Sequence, residues 1–245
     1  MAAWLEPAAE ALAVACDIAP GTTVLDVAAG TGNFAVAAAT RGAEVTATDL
    51  TPSMIERGRD RTASAGLAVE WMEADAEDLP FETGRFEITA SVFGAMFATP
   101  DRVAAELFRV TRPGGRVAMA NYASDGFAGR MAELVVGFSP SRSWDGPSPL
   151  RWGEPGEVRA RFASLATDVR TERRSIAFRS SSLEEGWTTW ERTNPVHAAL
   201  RELFPAAMYT RLRDASVALM RDLNRSDDGG LVLDSTYLLV VATAA

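Results

Sequence analysis

From Thr23 to Tyr122 the sequence alternates short apolar runs with helix-patterned segments. Alternation at that rhythm specifies a parallel sheet with helices packed on its faces. The strands read as Thr23 to Ala28, Glu44 to Asp49, Ala68 to Met72, Phe86 to Val92 and Gly115 to Tyr122. The helices between them read as Phe34 to Thr40, Pro52 to Ser64 with Thr51 as its cap, and Asp101 to Thr111. Ahead of this core, residues 7 to 18 place Ala8, Leu12, Ala15 and Cys16 at helical spacing, and Pro20-Gly21 stops that helix. Beyond Tyr122 the rhythm breaks. Ser139 to Gly156 is rich in Pro, Ser, Gly and Trp and reads as a long loop. A strand follows near Asp168 to Phe178, then helices near Leu183 to Arg192 and Val196 to Asn224, then a strand from Leu231 to Thr243. The chain thus divides into a core at 1–124 and a second part at 125–245 that completes the core, within one structural domain.

At 245 residues and 47% hydrophobic, the chain can bury a full core without disulfides or a metal. Its net charge of −9 opposes the counterion release that drives nucleic-acid binding, so DNA and RNA are disfavoured as partners. The excess lies in one half: residues 1–125 hold 18 acidic side chains against 9 Arg, and 126–245 hold 15 against 15. Every basic residue is Arg, so lysine Schiff-base chemistry is excluded. The single Cys16 offers no internal disulfide, the first residues lack the basic start and apolar run of a signal peptide, and no stretch approaches the ~20 apolar residues of a membrane span. These features give a cytoplasmic location and no membrane insertion as expectations. There is no Cys/His ligand cluster, so no zinc-type metal site is expected.

The chemistry concentrates after the first strand, in Val24-Leu25-Asp26-Val27-Ala28-Ala29-Gly30-Thr31-Gly32-Asn33. Small residues there let a ligand approach the backbone, and the next helix offers free N–H groups. The dinucleotide fingerprint wants glycine where Ala28, Gly30 and Asn33 stand, and only the middle position has it. A pyrophosphate would also be repelled by Asp26, whereas a cationic cofactor would be attracted. S-adenosylmethionine fits: it carries a sulfonium and an ammonium, and a ribose that wants a carboxylate. Asp49, at the end of the second strand, lies 23 residues after Asp26, near the spacing at which an acid reaches a ribose. Asp75 lies just past the third strand, where a carboxylate can accept the adenine amine. Each acid alone reads equally well as a cap or loop residue; together they favour a cofactor site.

Between Val24 and Tyr122 the chain resembles the class I S-adenosylmethionine-dependent methyltransferases, in the ubiquinone/menaquinone-biosynthesis-like, type 11 branch. The resemblance rests on the glycine loop from Asp26 to Asn33, on Asp49, on the pair Asp75-Ala76, and on the Thr111-Arg112-Pro113-Gly114-Gly115 turn. It implies a Rossmann-like, seven-stranded, mostly parallel α/β sheet with an antiparallel last strand, plus a helical acceptor-binding lid. The implied cofactor residues are Asp26, Ala28, Gly30, Thr31, Gly32, Asn33, Asp49, Leu50, Asp75, Ala76, Ser91 and Phe93, with Asp26 acting indirectly on the methionine end. Ala28 departs from the glycine usual in the family.

The reaction implied is direct displacement of the methyl by an O, N or C atom of a small, largely apolar acceptor, secondary-metabolite or quinone-like, with S-adenosylhomocysteine as co-product. Two rivals stand beside it: a protein of this fold that binds the cofactor without transferring methyl, and a nicotinamide oxidoreductase, which Asp26 opposes. A homodimer is left open. For the acceptor, Phe97, Trp144, Trp152, Trp187, Trp190 and Met208 are candidate wall residues, since aromatic and Met side chains concentrate after the fourth strand and in the second half. His197, the only histidine, has the ordinary pKa of a neutral-pH base and is a candidate beside its structural reading, and Tyr122 is a second candidate at the end of strand five.

Overall fold

The computed structural model describes residues 2–138 and 148–245. In chain order the elements are α1 (Ala2–Ala15), β1 (Thr23–Val27), α2 (Asn33–Thr40), β2 (Glu44–Asp49), α3 (Pro52–Ser64), β3 (Val69–Glu73), β4 (Phe86–Val92), α4 (Pro100–Val110) and β5 (Thr111–Gly126). There follow α5 (Phe127–Phe138), α6 (Pro155–Phe162), β6 (Ala166–Ser180), α7 (Leu183–Thr193), α8 (Pro195–Leu203), α9 (Ala206–Leu223) and β7 (Leu231–Ala244). The seven strands form one sheet in the order β3-β2-β1-β4-β5-β7-β6. β1 pairs in parallel with both β2 and β4, and β5 with β4, while β7 runs antiparallel to both of its neighbours. The strand order therefore reverses at β1/β4, and that switch point is where open α/β sheets bind ligands.

Local chemistry explains the elements. Val24 to Val27 are all buried, as a central strand covered on both faces requires. Pro52 and Pro100 open α3 and α4, where a missing N–H costs nothing. In α4, Val103, Ala104, Leu107 and Phe108 form the buried stripe of an amphipathic helix. Two apolar clusters result. The larger fills the space between the sheet and its flanking helices. The smaller gathers Phe127, Met131, Phe178, Trp187, Trp190, Met220, Leu231 and Leu233.

The first four strands end within one residue of their sequence expectation, and elsewhere the structure differs for identifiable reasons. The first helix begins at Ala2, not near residue 7, because Trp4 and Leu5 pack against the main cluster and support a turn ahead of Pro7. β5 starts at Thr111 because Phe86 pairs with Thr111 across an irregularity, and it runs on to Gly126, which pairs with Ser235 of β7. The expected long loop is partly helical: Ser148 Oγ accepts the Leu150 N–H, Pro149 opens a 3-10 turn to Gly153, and Pro155 opens α6. Residues 139–147 of that stretch, Trp144 among them, lie outside the described residues. The helix expected from Val196 to Asn224 is two helices. Pro205 pushes Phe204 to an extended ψ of 145° and breaks the run. Among the described residues no helix is long and apolar enough to cross a membrane.

Candidate functional site

The loop after β1 turns on a left-handed backbone, with φ of 52° at Ala28, 57° at Gly30 and 80° at Gly32, the N-cap of α2. At Gly30 a Cβ would meet nothing within 4 Å, so the conformation, not crowding by the protein, asks for glycine and leaves an open approach. Ala28 holds a conformation that costs an L-residue about 1–2 kcal/mol, which is the physical reason glycine suits that position better. The strain is held by a neighbour that sequence reasoning missed. A Cβ on Gly94, just past β4, would lie 2.3 Å from the Ala28 carbonyl oxygen, so the β1 and β4 loops meet backbone to backbone. Phe93 beside it also has positive φ, 60°. Strained residues clustered at two adjacent strand ends are a mark of functional sites.

The three acids stand at three adjacent strand ends. Asp26 is 1% exposed; its Oδ2 accepts the Ala35 N–H at 2.9 Å, and its Oδ1 is buried without a partner. Burial pushes its carboxyl up to about 8, against the pull of the Ala35 amide, and the charge of Asp49 adds to the rise. Asp49 is half-buried; its Oδ2 accepts the Gly30 N–H at 2.8 Å and its Oδ1 the Thr51 N–H at 2.9 Å. It therefore ties the tip of the glycine loop to the start of α3. Asp75 is exposed, and its Oδ1 accepts the Glu77 N–H at 2.9 Å. Ala76 beside it is half-buried, and Leu50, next to Asp49, is a large apolar side chain 64% exposed. Ser91 is buried, with its hydroxyl accepting the Ala95 N–H at 2.9 Å, so its role includes capping the short turn at Ala95–Phe97.

Other residues hold these loops, and their long-range pairings left no local signal. Arg61 of α3 donates to the Thr31 carbonyl at 3.2 Å and to Asn33 Oδ1 at 2.6 Å, and reaches Glu6 of α1 at 2.9 Å. Arg109 bonds the carbonyls of Leu79 and Phe81, and Glu106 accepts the Leu79 N–H, which fixes the loop beyond Asp75. The side-chain hydrogen bond from Arg109 holds the Glu106 carboxyl below its ordinary range.

A second set of residues is aromatic. Phe93 stacks on Tyr122 with centroids 4.0 Å apart, and Tyr122 stacks on Trp4 at 6.5 Å. Trp4 meets Phe178 at 5.9 Å and Trp190 at 6.1 Å, and Trp190 and Trp187 meet His197 at 6.1 Å and 5.6 Å. Of the described residues of the expected acceptor wall, Trp187 and Trp190 share this cluster. Trp152 is packed elsewhere, beside Phe162 and under the Arg161 guanidinium, Phe97 is 48% exposed, and Met208 is half-buried on α9. Trp4 was missed, although it continues the spacing of Ala8, Leu12 and Cys16.

Of the two readings of His197, its surroundings favour the structural one. His197 is 1% exposed between two indoles, and that burial pushes its pKa down to about 4, partly offset by Glu191. A neutral imidazole so weakly basic is poorly matched to proton abstraction near pH 7. Burial likewise pushes the Tyr122 phenol well above its ordinary value, which leaves it neutral near pH 7.

The first set is compatible with S-adenosylmethionine: an orphaned buried carboxyl oxygen, an open glycine turn, and acids at three adjacent strand ends. Comparison with known proteins agrees. Residues 24–115 match the family described as "Methyltransferase domain". The match spans the glycine turn and the strand ends that carry Asp49 and Asp75, and over this segment the chain is similar to methyltransferase domains.

Among individual proteins, an uncharacterized protein of Mycobacterium tuberculosis is 40% identical over 173 residues, which is 70% of this chain and 63% of that protein. The chain thus spans less than two thirds of the length of that relative. The ubiquinone/menaquinone biosynthesis C-methyltransferase of Bordetella parapertussis is 35% identical over 159 residues, 62% of this chain and 58% of its own. In fold, a Bacillus subtilis protein, YcgJ, superposes with TM-score 0.66 at 18% identity over 97% of this chain and 98% of its own. A geranyl diphosphate methyltransferase in complex with S-adenosylmethionine gives 0.58 at 21% identity over 98% and 85%.

Proposed function

We propose that the protein moves a methyl group from S-adenosylmethionine to an O, N or C atom of a small, largely apolar acceptor. The observation that carries this reading is the set of Asp26, Asp49 and Asp75 at the carboxyl ends of β1, β2 and β3 around an open, left-handed glycine turn, with an aromatic wall starting at Phe93. When bound, the cofactor supplies an electrophilic methyl on a sulfonium.

The chain's own residues bind and align. Asp49 takes the ribose hydroxyls, Asp75 and Leu50 the adenine, and Asp26 supports the methionine end beneath the loop. Phe93 and Tyr122 close the wall beside the methyl. Correct alignment can be worth about 7–11 kcal/mol, so an acceptor that is already nucleophilic needs no protein base. The Bordetella relative is a ubiquinone/menaquinone biosynthesis C-methyltransferase, which supports a quinone-like acceptor here.

Calorimetric titration with S-adenosylmethionine, S-adenosylhomocysteine and NADH tests the reading. Micromolar binding of the first two and none of the third is expected, followed by a one-methyl mass gain on an apolar acceptor in a screened panel. Absence of binding by either sulfur cofactor overturns it. Binding with no turnover on any acceptor would favour the non-methylating rival.

A further inference from the structure

Four buried side-chain nitrogens without a hydrogen-bond partner lie in one group of touching rings: Nε1 of Trp4, Nε1 of Trp190, and both ring nitrogens of His197. A buried polar group left unpaired costs about 1–3 kcal/mol, so several in one cluster are hard to explain as packing alone. Their chemistry says what is missing. An indole only donates, so Trp4 and Trp190 cannot satisfy each other, and a neutral imidazole has one donor and one acceptor to offer. The cluster lacks an oxygen.

The same rings lead to the cofactor loop. Trp190 touches Trp4, Trp4 stacks on Tyr122, Tyr122 stacks on Phe93, and Phe93 adjoins Gly94, whose backbone abuts the Ala28 carbonyl. Trp190 and His197 are 3% and 1% exposed, whereas Trp4, on the first turn of α1, is only half-buried. Trp4 is the ring in a position to yield its place between Tyr122, Phe178 and Trp190. Glu191, the charge felt at His197, is negative and already accepts the Tyr209 hydroxyl at 2.7 Å, so an anionic group is disfavoured there.

We infer that this cluster is the acceptor subsite, and that the acceptor is an uncharged aromatic molecule whose hydroxyl or carbonyl oxygen is bound by Trp190 Nε1–H and His197, with its methyl-accepting atom toward Phe93. The inference rests on the methyltransferase reading above and adds the acceptor's class. It makes Trp190 and His197 binding residues, with Trp4 as the side chain the acceptor displaces.

Equilibrium dialysis of the S-adenosylhomocysteine-bound protein against 2-naphthol, naphthalene and 2-naphthoate tests it. The wild type should hold 2-naphthol about tenfold more tightly than either of the others, the difference expected for one hydrogen bond to otherwise unpaired buried groups. His197→Phe and Trp190→Phe keep a ring and remove the orphan nitrogens. Each should keep its affinity for S-adenosylhomocysteine, which shows that it is folded, and bind 2-naphthol only as well as naphthalene. Equal retention of all three probes, retention of none, preference for the naphthoate, or variants that keep the naphthol preference would each overturn the subsite. Failure of the wild type to bind S-adenosylhomocysteine would instead strike the methyltransferase reading, and the naphthol preference would still decide the ring site.

Discussion

The two halves of the molecule build their sites from different materials. Around β1 to β4 the site is made of backbone: left-handed turns at Ala28, Gly30, Gly32 and Phe93, amide groups tied to Asp49, and the Asp26 carboxyl group buried beneath them. Around β5 to α8 it is made of rings, Tyr122, Trp187, Trp190 and His197, joined by Trp4 from α1. A backbone site recognises a constant ligand, because its geometry is fixed by the sheet on which it is mounted. A ring site changes with each side chain, so it is the half in which one fold can acquire different acceptors. The charge follows the same division, since the whole acidic excess lies in residues 1–125, where a cationic cofactor is expected.

The largest expected effect would break that comparison at its first term. Asp49→Ala removes the acceptor of the Gly30 and Thr51 amides as well as the proposed ribose ligand. Affinity for S-adenosylhomocysteine should fall about 100-fold, near 2.7 kcal/mol, in line with the loss of hydrogen bonds to a charged group. The near-UV circular dichroism of the aromatic cluster should stay as in the wild type. An affinity within threefold of wild type would remove Asp49 from the site.

A smaller effect separates the halves by pH. Asp26 has a folded value of about 8, above its ordinary 3.8, so its contribution to stability is fully present below pH 3.8 and is lost as pH rises through 8. His197 has a folded value of about 4, below its ordinary 6.5, so its contribution is fully present above pH 6.5 and is lost as pH falls through 4. The backbone half should therefore weaken toward alkali and the ring half toward acid. Thermal melts at pH 5 and pH 8 should show Asp26→Asn flattening the alkaline limb and His197→Phe the acid limb, each by at least about 1 kcal/mol. A single limb moved by both variants would mean that the two halves do not titrate independently.

The sequence was most legible where the physics is local. Period, breaker residues and proline starts located β1 to β4 and α3 because each strand lies beside a helix close to it in sequence. The acids of the cofactor half stood out because the glycine turn sits between Asp26 and a helix start. The register that draws Thr111 into β5, and the contact of Gly94 with Ala28, join residues 25 and 66 positions apart and leave no periodic trace. His197 kept two readings for the same reason. Its ordinary pKa is a property of the residue, whereas its burial between Trp187 and Trp190 is a property of the packing of α7 against α8. Pro205 was readable, since a proline inside a helical run is a stop signal, and the apolar periodicity on either side outweighed it.

The smallest expected effect concerns α1, a helix that touches both halves. α1 places Trp4 in the ring cluster and Glu6 on Arg61, which also holds the Thr31 carbonyl and Asn33 of the glycine turn. Glu6 is exposed, so the ion pair itself is worth less than about 1 kcal/mol and should weaken with salt. The bonds to Thr31 and Asn33 do not depend on Glu6, and they set the shape of the turn. Arg61→Ala should thus weaken S-adenosylhomocysteine binding about threefold, and Glu6→Gln should leave it unchanged. If Glu6→Gln also loosens the cofactor, then α1 transmits strain between the halves, and the ring site and the backbone site form a single coupled unit.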